Sequence, residues 1–267
     1  MRSFQGRCVV ITGAAGGLGR ALVDAFLQAG AQVLAVDRDA GALATLRHAT
    51  AESAALATAV CDITVQDACD VAVAQAVARW GGIDVLVNNA GISHRSLFAG
   101  TDPAVIRRVM EVNFFGAVHM THAALPHITA RCGVVAAISS VAGYAPLLGR
   151  TGYCASKHAL HGFFDTLRAE VQDQGVQVTL ICPSFIATGI GAAALGGSGA
   201  SAASPRLTTG GESAPEDIAR QIVAALAHGR AQLLPDRTSR LAWWLSRLAP
   251  SLYARTMKRR VGPEFKN

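Results

Sequence analysis

In the stretch "GYCASKH", residues 152–158, Tyr153 and Lys157 stand four positions apart, a spacing that puts both side chains on one face of a helix. A phenol titrates near pH 10, too high for efficient proton exchange at neutrality, and a neighbouring ammonium favours the phenolate. The pair is therefore a candidate general acid/base. The competing reading is an exposed helical pair contributing about 0.2–0.5 kcal/mol. Arginine use separates the two: the chain has twenty-one arginines and three lysines, at 157, 258 and 266, so a lysine at 157 stands out where any cation would serve. With three tyrosines in the chain, a chance Tyr-x-x-x-Lys has a probability of about 0.03.

Thirteen residues before Tyr153, Ser140 closes the run "VVAAISS" and offers a hydroxyl that can donate to a substrate carbonyl and aim it at the tyrosine. Ser139 competes for that role, but in a regular strand it points to the opposite face.

These side chains need a frame. Short β-branched runs ("CVVIT", "AQVLAVD", "AALATAV", "IDVLVNNAG", "GVVAAISS", "VQVTLICP", "AQLLP") alternate with Ala-rich stretches of helical period. Repeated β-α-β order implies a doubly wound α/β fold, a parallel sheet covered by helices on both faces, with ligands at the carboxyl ends of the strands. No linker divides the 267 residues, of which 51% are apolar and 16% charged, so one packed domain is expected over residues 1–235.

"VVITGAAGGLGRAL" places Gly13, Gly17, Leu18 and Gly19 between the first strand and its helix. Missing side chains let the backbone turn sharply and approach a pyrophosphate, which the helix start favours. Asp37 ends the second strand, where a carboxylate accepts from both hydroxyls of an adenosine ribose and repels a 2′-phosphate. Arg38, beside it, can bind that same phosphate. NAD is favoured over NADP, with Asp37 as an ordinary turn residue the alternative. Asp62 and Ile63 end the third strand, suited to an adenine amino group and face. Asn89, Ala90 and Gly91 follow the fourth, where small residues permit close approach. Each of these is equally readable as turn punctuation.

At this point the chain resembles the short-chain dehydrogenase/reductase family over nearly everything from residue 7 to about 235. "TGAAGGLG" fits the family's T-G-x-x-x-G-x-G, "NNAG" is intact, and Ser140, Tyr153 and Lys157 occur in order at the family's spacing. The resemblance implies a single domain with a seven-stranded parallel sheet, usually a homodimer or homotetramer, and hydride exchange between a nicotinamide and an alcohol or carbonyl carbon. In "EVNFFG" it makes Asn113 the fourth member of the site, holding a water on a relay from the lysine. It also assigns Pro183, Ile186 and Thr188 to the nicotinamide end. One departure stands among them: the family's Pro-Gly is "CPSF" here, with Ser184 for glycine, which implies an altered backbone or an extra hydroxyl. "YCASKHALHGFFDTLRAEV" with this Pro-Ser-Phe looks like the branch acting on lipophilic ketones and alcohols. A catalytically silent nucleotide-binding protein of the same fold is the alternative function.

Other features bound the reading. Six cysteines, at 8, 61, 69, 132, 154 and 182, form no C-x-x-C pair, so reduced, mostly buried thiols are expected. His119, His122 and His127, and His158 and His161, have metal-like spacing without a completing carboxylate or thiolate, and no metal is expected. His94 is read as a loop residue, solvent-facing or at the substrate entrance. "GIGAAALGGSGASAASP" after Thr188 is either a linker or a flap over the substrate, within a substrate loop set at 185–210. Residues 236–267 carry eight basic and two acidic side chains and hence the whole +6 excess, so the charge says little about nucleic acid. Within them Leu241, Trp244, Leu245 and Leu248 form one helical stripe among arginines. That stripe suits docking on this chain or a second copy, capping of a lipophilic substrate pocket, or contact with an anionic membrane surface. The start lacks a signal peptide's apolar core and no apolar run spans a bilayer, so a cytoplasmic location is expected, with membrane association through the tail.

Overall fold

Strand and helix alternate from the first regular element: β1 (Cys8–Thr12), α1 (Gly17–Gln28), β2 (Gln32–Asp37), α2 (Ala40–Ala49), β3 (Leu56–Val60), α3 (Gln66–Trp80) and β4 (Val85–Asn88). A helical excursion follows, consisting of α4 (Pro103–Met110), a π turn (Glu111–Phe115) and α5 (Gly116–Ala130). Then come β5 (Val134–Ile138), α6 (Thr151–Val171), β6 (Gln177–Ile181), α7 (Pro215–Ala227) and β7 (Gln232–Leu233). Two further helices, α8 (Arg237–Leu248) and α9 (Pro250–Val261), lead into a 3-10 turn (Gly262–Phe265). The computed structural model describes residues 1–202, 208 and 211–265; the far part of the 185–210 loop and Lys266 lie outside the described residues.

All seven strands pair in parallel in the order β3-β2-β1-β4-β5-β6-β7, the doubly wound seven-stranded sheet expected from the sequence. Their alternating side chains explain why each run reads as continuously apolar. Val9, Ile11, Val85 and Val87 pack on one face against α1 and α7, while Cys8, Val10, Leu86 and Val135 pack on the other against α3, α5 and α6. Fully burying each such aliphatic side chain contributes about 1.5–3 kcal/mol, so both helical layers are held firmly. Register then levels the strand ends: Thr12 lies opposite Val36, Asn88 opposite Ala137 and Ile138 opposite Ile181. Strand order reverses between β1 and β4, which opens a crevice at their carboxyl ends.

The basic tail is two helices where the sequence suggested one amphipathic segment. Pro250 has no N–H to continue α8 and instead begins α9. Asp236 caps α8 through a reciprocal bond with Ser239. Ser239 and Ala242 face the body, so the stripe noted in the sequence points outward, with Leu241, Trp244 and Leu248 exposed by 66%, 58% and 76%. Among the described residues no helix is long and apolar enough to cross a membrane. The six cysteines are free; Cys132 is exposed and Cys154 half-buried, the other four buried.

Candidate active site

A cavity of about 410 Å³ runs along the strand ends from Asp37 to Ala194. At its glycine-loop end two glycines are dictated by space. Gly13 has φ +62°, and a β-carbon there would lie 2.7 Å from the Ala90 Cα; at Gly19 it would run into the Gly13 carbonyl and stand 2.8 Å from the Ala14 Cα. Gly16, before α1, offers no side-chain cap, and the helix has no acidic residue in its first turn, so its leading amides are suited to an anion. Gly17 and Leu18 line the cavity here, with Thr188 folded over Gly17 from the loop after β6.

Thr12 organises this loop, although only its place in the motif marks it in the sequence. Its hydroxyl accepts from the amides of Asn89 (3.0 Å) and Ala90 (3.1 Å). The Asn89 carboxamide donates to the carbonyls of Thr12 and Gly13, each at 3.0 Å, so it braces the glycine turn where small size alone was anticipated. Asp37 is fixed at the end of β2 by accepting from Ala15 N (3.0 Å) and Asp39 N (3.1 Å). Arg38 lines the cavity beside it and is near enough to Asp62 to contribute to lowering that carboxyl's pKa, behind two bonds from Thr64 that come first. Ile63 is buried at the same end of the cavity, packed against Gly116.

At the other end Tyr153 and Lys157 stand one turn apart on α6, with Lys157 Nζ 5.6 Å from the centre of the Tyr153 ring. Lys157 is 4% exposed and donates to the Ile138 carbonyl at 2.7 Å. Burial disfavours its charge and lowers its pKa to about 8. Ser140, two residues past β5, is extended (φ −169°, ψ 169°) and accepts from Ala142 N at 3.2 Å, leaving its hydroxyl hydrogen for another partner. Ser139 points the other way, as strand alternation requires, and meets His161 Nε2 at 2.9 Å. Burial holds the His161 pKa down at about 4, so this imidazole is neutral.

Asn113 is the one named site residue that does not line the cavity. It lies on the π turn, whose wider winding presents the side chain toward the β4 loop. Its carboxamide accepts from Ile92 N (2.8 Å) and donates to Ile92 O (3.0 Å) and Ser156 Oγ (2.9 Å). Gly91 separates it from the cavity: a β-carbon there would be 3.2 Å from Asn113 Oδ1 and 3.7 Å from Lys157 Nζ. Asn89, Ala90 and Gly91 line the nearer wall, and Pro183, Ile186 and Thr188 the wall opposite. Ser184 carries the extra hydroxyl that the Pro-Ser departure implied. Its amide and hydroxyl donate to Asp236 at 3.0 and 2.8 Å, tying this loop to the cap of α8.

Several histidines have ordinary partners. His119 bonds the Ile63 carbonyl and His158 the Cys154 carbonyl, and no group of three or more metal-binding side chains occurs among the described residues. His94 is fully buried, where the sequence suggested a loop surface. Its Nε2 accepts from Gly152 N at 2.8 Å, so it is the neutral tautomer that joins the β4 loop to the start of α6. The small-residue segment is anchored to that same loop, with Leu195 N donating to Ser93 O and Arg95 N to Leu195 O. Sequence reasoning also missed Arg95 and Arg150, both on the cavity wall and both paired with Glu264. Nothing in their spacing joins residues so far apart.

The family model for short chain dehydrogenases matches residues 7–195. The chain belongs to the short-chain dehydrogenase/reductase family of oxidoreductases. It is 40% identical over 277 residues to dehydrogenase/reductase SDR family member 7B of Bos taurus, covering all of this chain and 85% of that one. A dehydrogenase/reductase SDR family protein 7-like of Anopheles gambiae is 39% identical, covering 97% and 84%. Among solved structures, a short-chain dehydrogenase of Streptomyces avermitilis superposes with a TM-score of 0.81 at 27% identity, over 98% of this chain and 100% of the other. A Burkholderia phymatum family member solved with NAD gives 0.84 at 24% identity, over 94% and 96%. One from Burkholderia cenocepacia solved with NADP gives 0.80 at 24%, over 96% and 99%.

Proposed function

We propose that the protein interconverts a secondary alcohol and a ketone on a lipophilic substrate, using a nicotinamide nucleotide, with Tyr153 as proton donor or acceptor. The observation that carries this is one cavity joining an uncapped glycine-loop helix to Tyr153, the buried Lys157 and the Ser140 hydroxyl. Residues present fit such a nucleotide: the cradle at Gly13 and Gly19 has no room for a β-carbon, and the amides of α1 face it. A bound nicotinamide supplies the hydride chemistry. Tyr153 gives its phenolic proton to the substrate oxygen in reduction and takes it back in oxidation. Lys157, positive at neutral pH, favours the phenolate that remains, and Ser140 donates to the same substrate oxygen and orients it. Asn113, held by Ile92 and Ser156, sets the backbone beside Lys157, where a water can link the lysine to solvent.

Lipophilic character rests on Ile92, Leu147, Phe185 and Ile190, which line the same cavity as Tyr153. A panel of ketones and secondary alcohols followed by nicotinamide absorbance tests the reading. Turnover is expected for apolar members, and its absence across the panel would sink the assignment.

For the nucleotide, the Asp37 carboxylate favours NAD, because a 2′-phosphate placed against it would be repelled. NADH is expected to bind at least about tenfold more tightly than NADPH, a difference of about 1.4 kcal/mol. Fluorescence titration measures both, and the reverse order would give control of the pocket to Arg38.

The outward stripe of α8, extended by the half-exposed Leu252, lies among Arg240, Arg247, Arg255 and Lys258. It supports reversible contact with an anionic membrane surface. Co-sedimentation with phosphatidylserine vesicles, lost in Trp244→Glu, is the expected result. Vesicle-independent dimerisation abolished by that variant would assign the stripe to a second copy instead.

A further inference from the structure

The substrate side of the cavity is built from three segments distant in sequence: the loop after β4 with Arg95, the loop before α6 with Leu147 and Arg150, and the loop after β6 with Ser184. Residues 236–265 grip all three. Asp236 accepts both Ser184 bonds, and the Ser239 carbonyl accepts from the Tyr144 hydroxyl at 2.7 Å. Met257 Sδ accepts from Leu148 N at 3.2 Å, and the Phe265 ring covers Gly149 so closely that a β-carbon there has no room.

Glu264 is the charged member of this set. Its side chain is fully buried, and Oε1 takes Arg150 Nη2 at 2.8 Å and Arg95 Nε at 3.3 Å, from side chains only 7% and 3% exposed. Two cations so placed repel each other and are costly to bury, and the shared carboxylate offsets both effects. Arg150 also caps α6 three residues before Tyr153, while Arg95 follows His94, which bonds the second residue of that helix. The carboxylate therefore closes a clamp between the β4 loop and the start of the helix that carries Tyr153.

We propose that Glu264 is a positioning residue for substrate binding, holding Arg95 and Arg150 on one oxygen so that the loop after β4 and the first turn of α6 form a fixed wall beside Tyr153. This rests on the oxidoreductase reading above, and the test separates the two. Glu264→Gln and Glu264→Asp are made in the full chain carrying Cys132→Ser, which removes the exposed thiol. Each is assayed with NADH and a series of 2-alkanones, and Cys154 labelling by an aromatic disulfide is timed, because the half-buried Cys154 donates to the Leu147 carbonyl, next to the Leu148 amide that α9 holds through Met257.

For a 2-alkanone that the parent reduces, the Gln variant is expected to raise KM about tenfold or more, with kcat within about threefold and NADH affinity within about twofold. The Asp variant, which keeps the charge, should recover most of that KM. An unchanged KM in the Gln variant overturns the proposal even where Cys154 labels faster, since Glu264 then only anchors the tail. Equal loss of kcat and NADH affinity overturns it as well. If the Gln variant does not fold, the Asp variant alone must raise KM about threefold, the shortened side chain reaching the two arginines less well, and an unchanged value again overturns the proposal. No turnover by the parent across the series counts against the oxidoreductase reading; unaltered Cys154 labelling in the Gln variant then overturns the clamp itself.

Discussion

Tyr153→Phe is expected to lower kcat/KM at least about 10³-fold for any ketone or alcohol the protein turns over, while NADH affinity stays within about twofold. The substitution removes one oxygen and leaves the ring, so the contact with Lys157 Nζ at 5.6 Å and the packing of α6 persist. What disappears is the proton for the substrate oxygen. Steady-state turnover and nucleotide fluorescence, read on one preparation, distinguish the outcomes. Surviving turnover would exclude Tyr153 as the proton donor, and joint loss of nucleotide binding would mean that the variant disturbs the cofactor cradle.

Lys157→Met is expected to make the protein slower and more stable at once. Removing the cation deprives Tyr153 of the charge that favours its phenolate, a loss of about 10²–10⁴-fold in kcat. Stability moves the other way because the ammonium is buried: its pKa is about 8 in the fold against 10.5 for the ordinary lysine. Between those values the unfolded chain binds more protons, so this group's contribution to stability falls as pH drops from 10.5 to 8 and is constant below. The span corresponds to on the order of 3 kcal/mol, less about 1 kcal/mol for the Ile138 carbonyl that loses its donor. Denaturant unfolding should therefore show the Met variant more stable than wild type at pH 7, by a margin that closes as the pH approaches 10.5. The difference between the two proteins is the quantity to follow. Buried thiols such as Cys8, its pKa pushed up to about 12, lose stability over the same alkaline range and cancel in the comparison. A margin independent of pH would mean that the Lys157 pKa is the same in the fold as in the unfolded chain and that burial does not lower it.

What was legible in the sequence is local. Seven β-branched runs bounded by turn residues identify the strands, and the glycines, Tyr153 and Lys157 stand at spacings that a strand–turn–helix and a single helical turn impose. Ser140 could be separated from Ser139 because a strand alternates. Residues whose surroundings come from distant chain carried no such mark. His94 gave no sign of burial, since its partner, the amide of Gly152, has no identity in a sequence. Ser184 announced itself only as a departure from a motif, and the meaning of that departure lay in Asp236, 52 positions away. The α8 stripe was visible as a pattern, but Ala242 and Ser239 on the opposite side gave little hint that theirs is the face that packs.

The grip of residues 236–265 on the three substrate-side loops also imposes an order on synthesis. A ribosome delivers β1, the glycine loop and Asp37 well before the pieces that hold Arg95, Tyr144, Leu148 and Ser184. A nascent chain stopped before Asp236 would possess the nucleotide cradle and Tyr153 but lack the bonds that set its substrate-side loops. The two halves of the site thus come together at different times, the glycine cradle before the bonds that fix the loops opposite it.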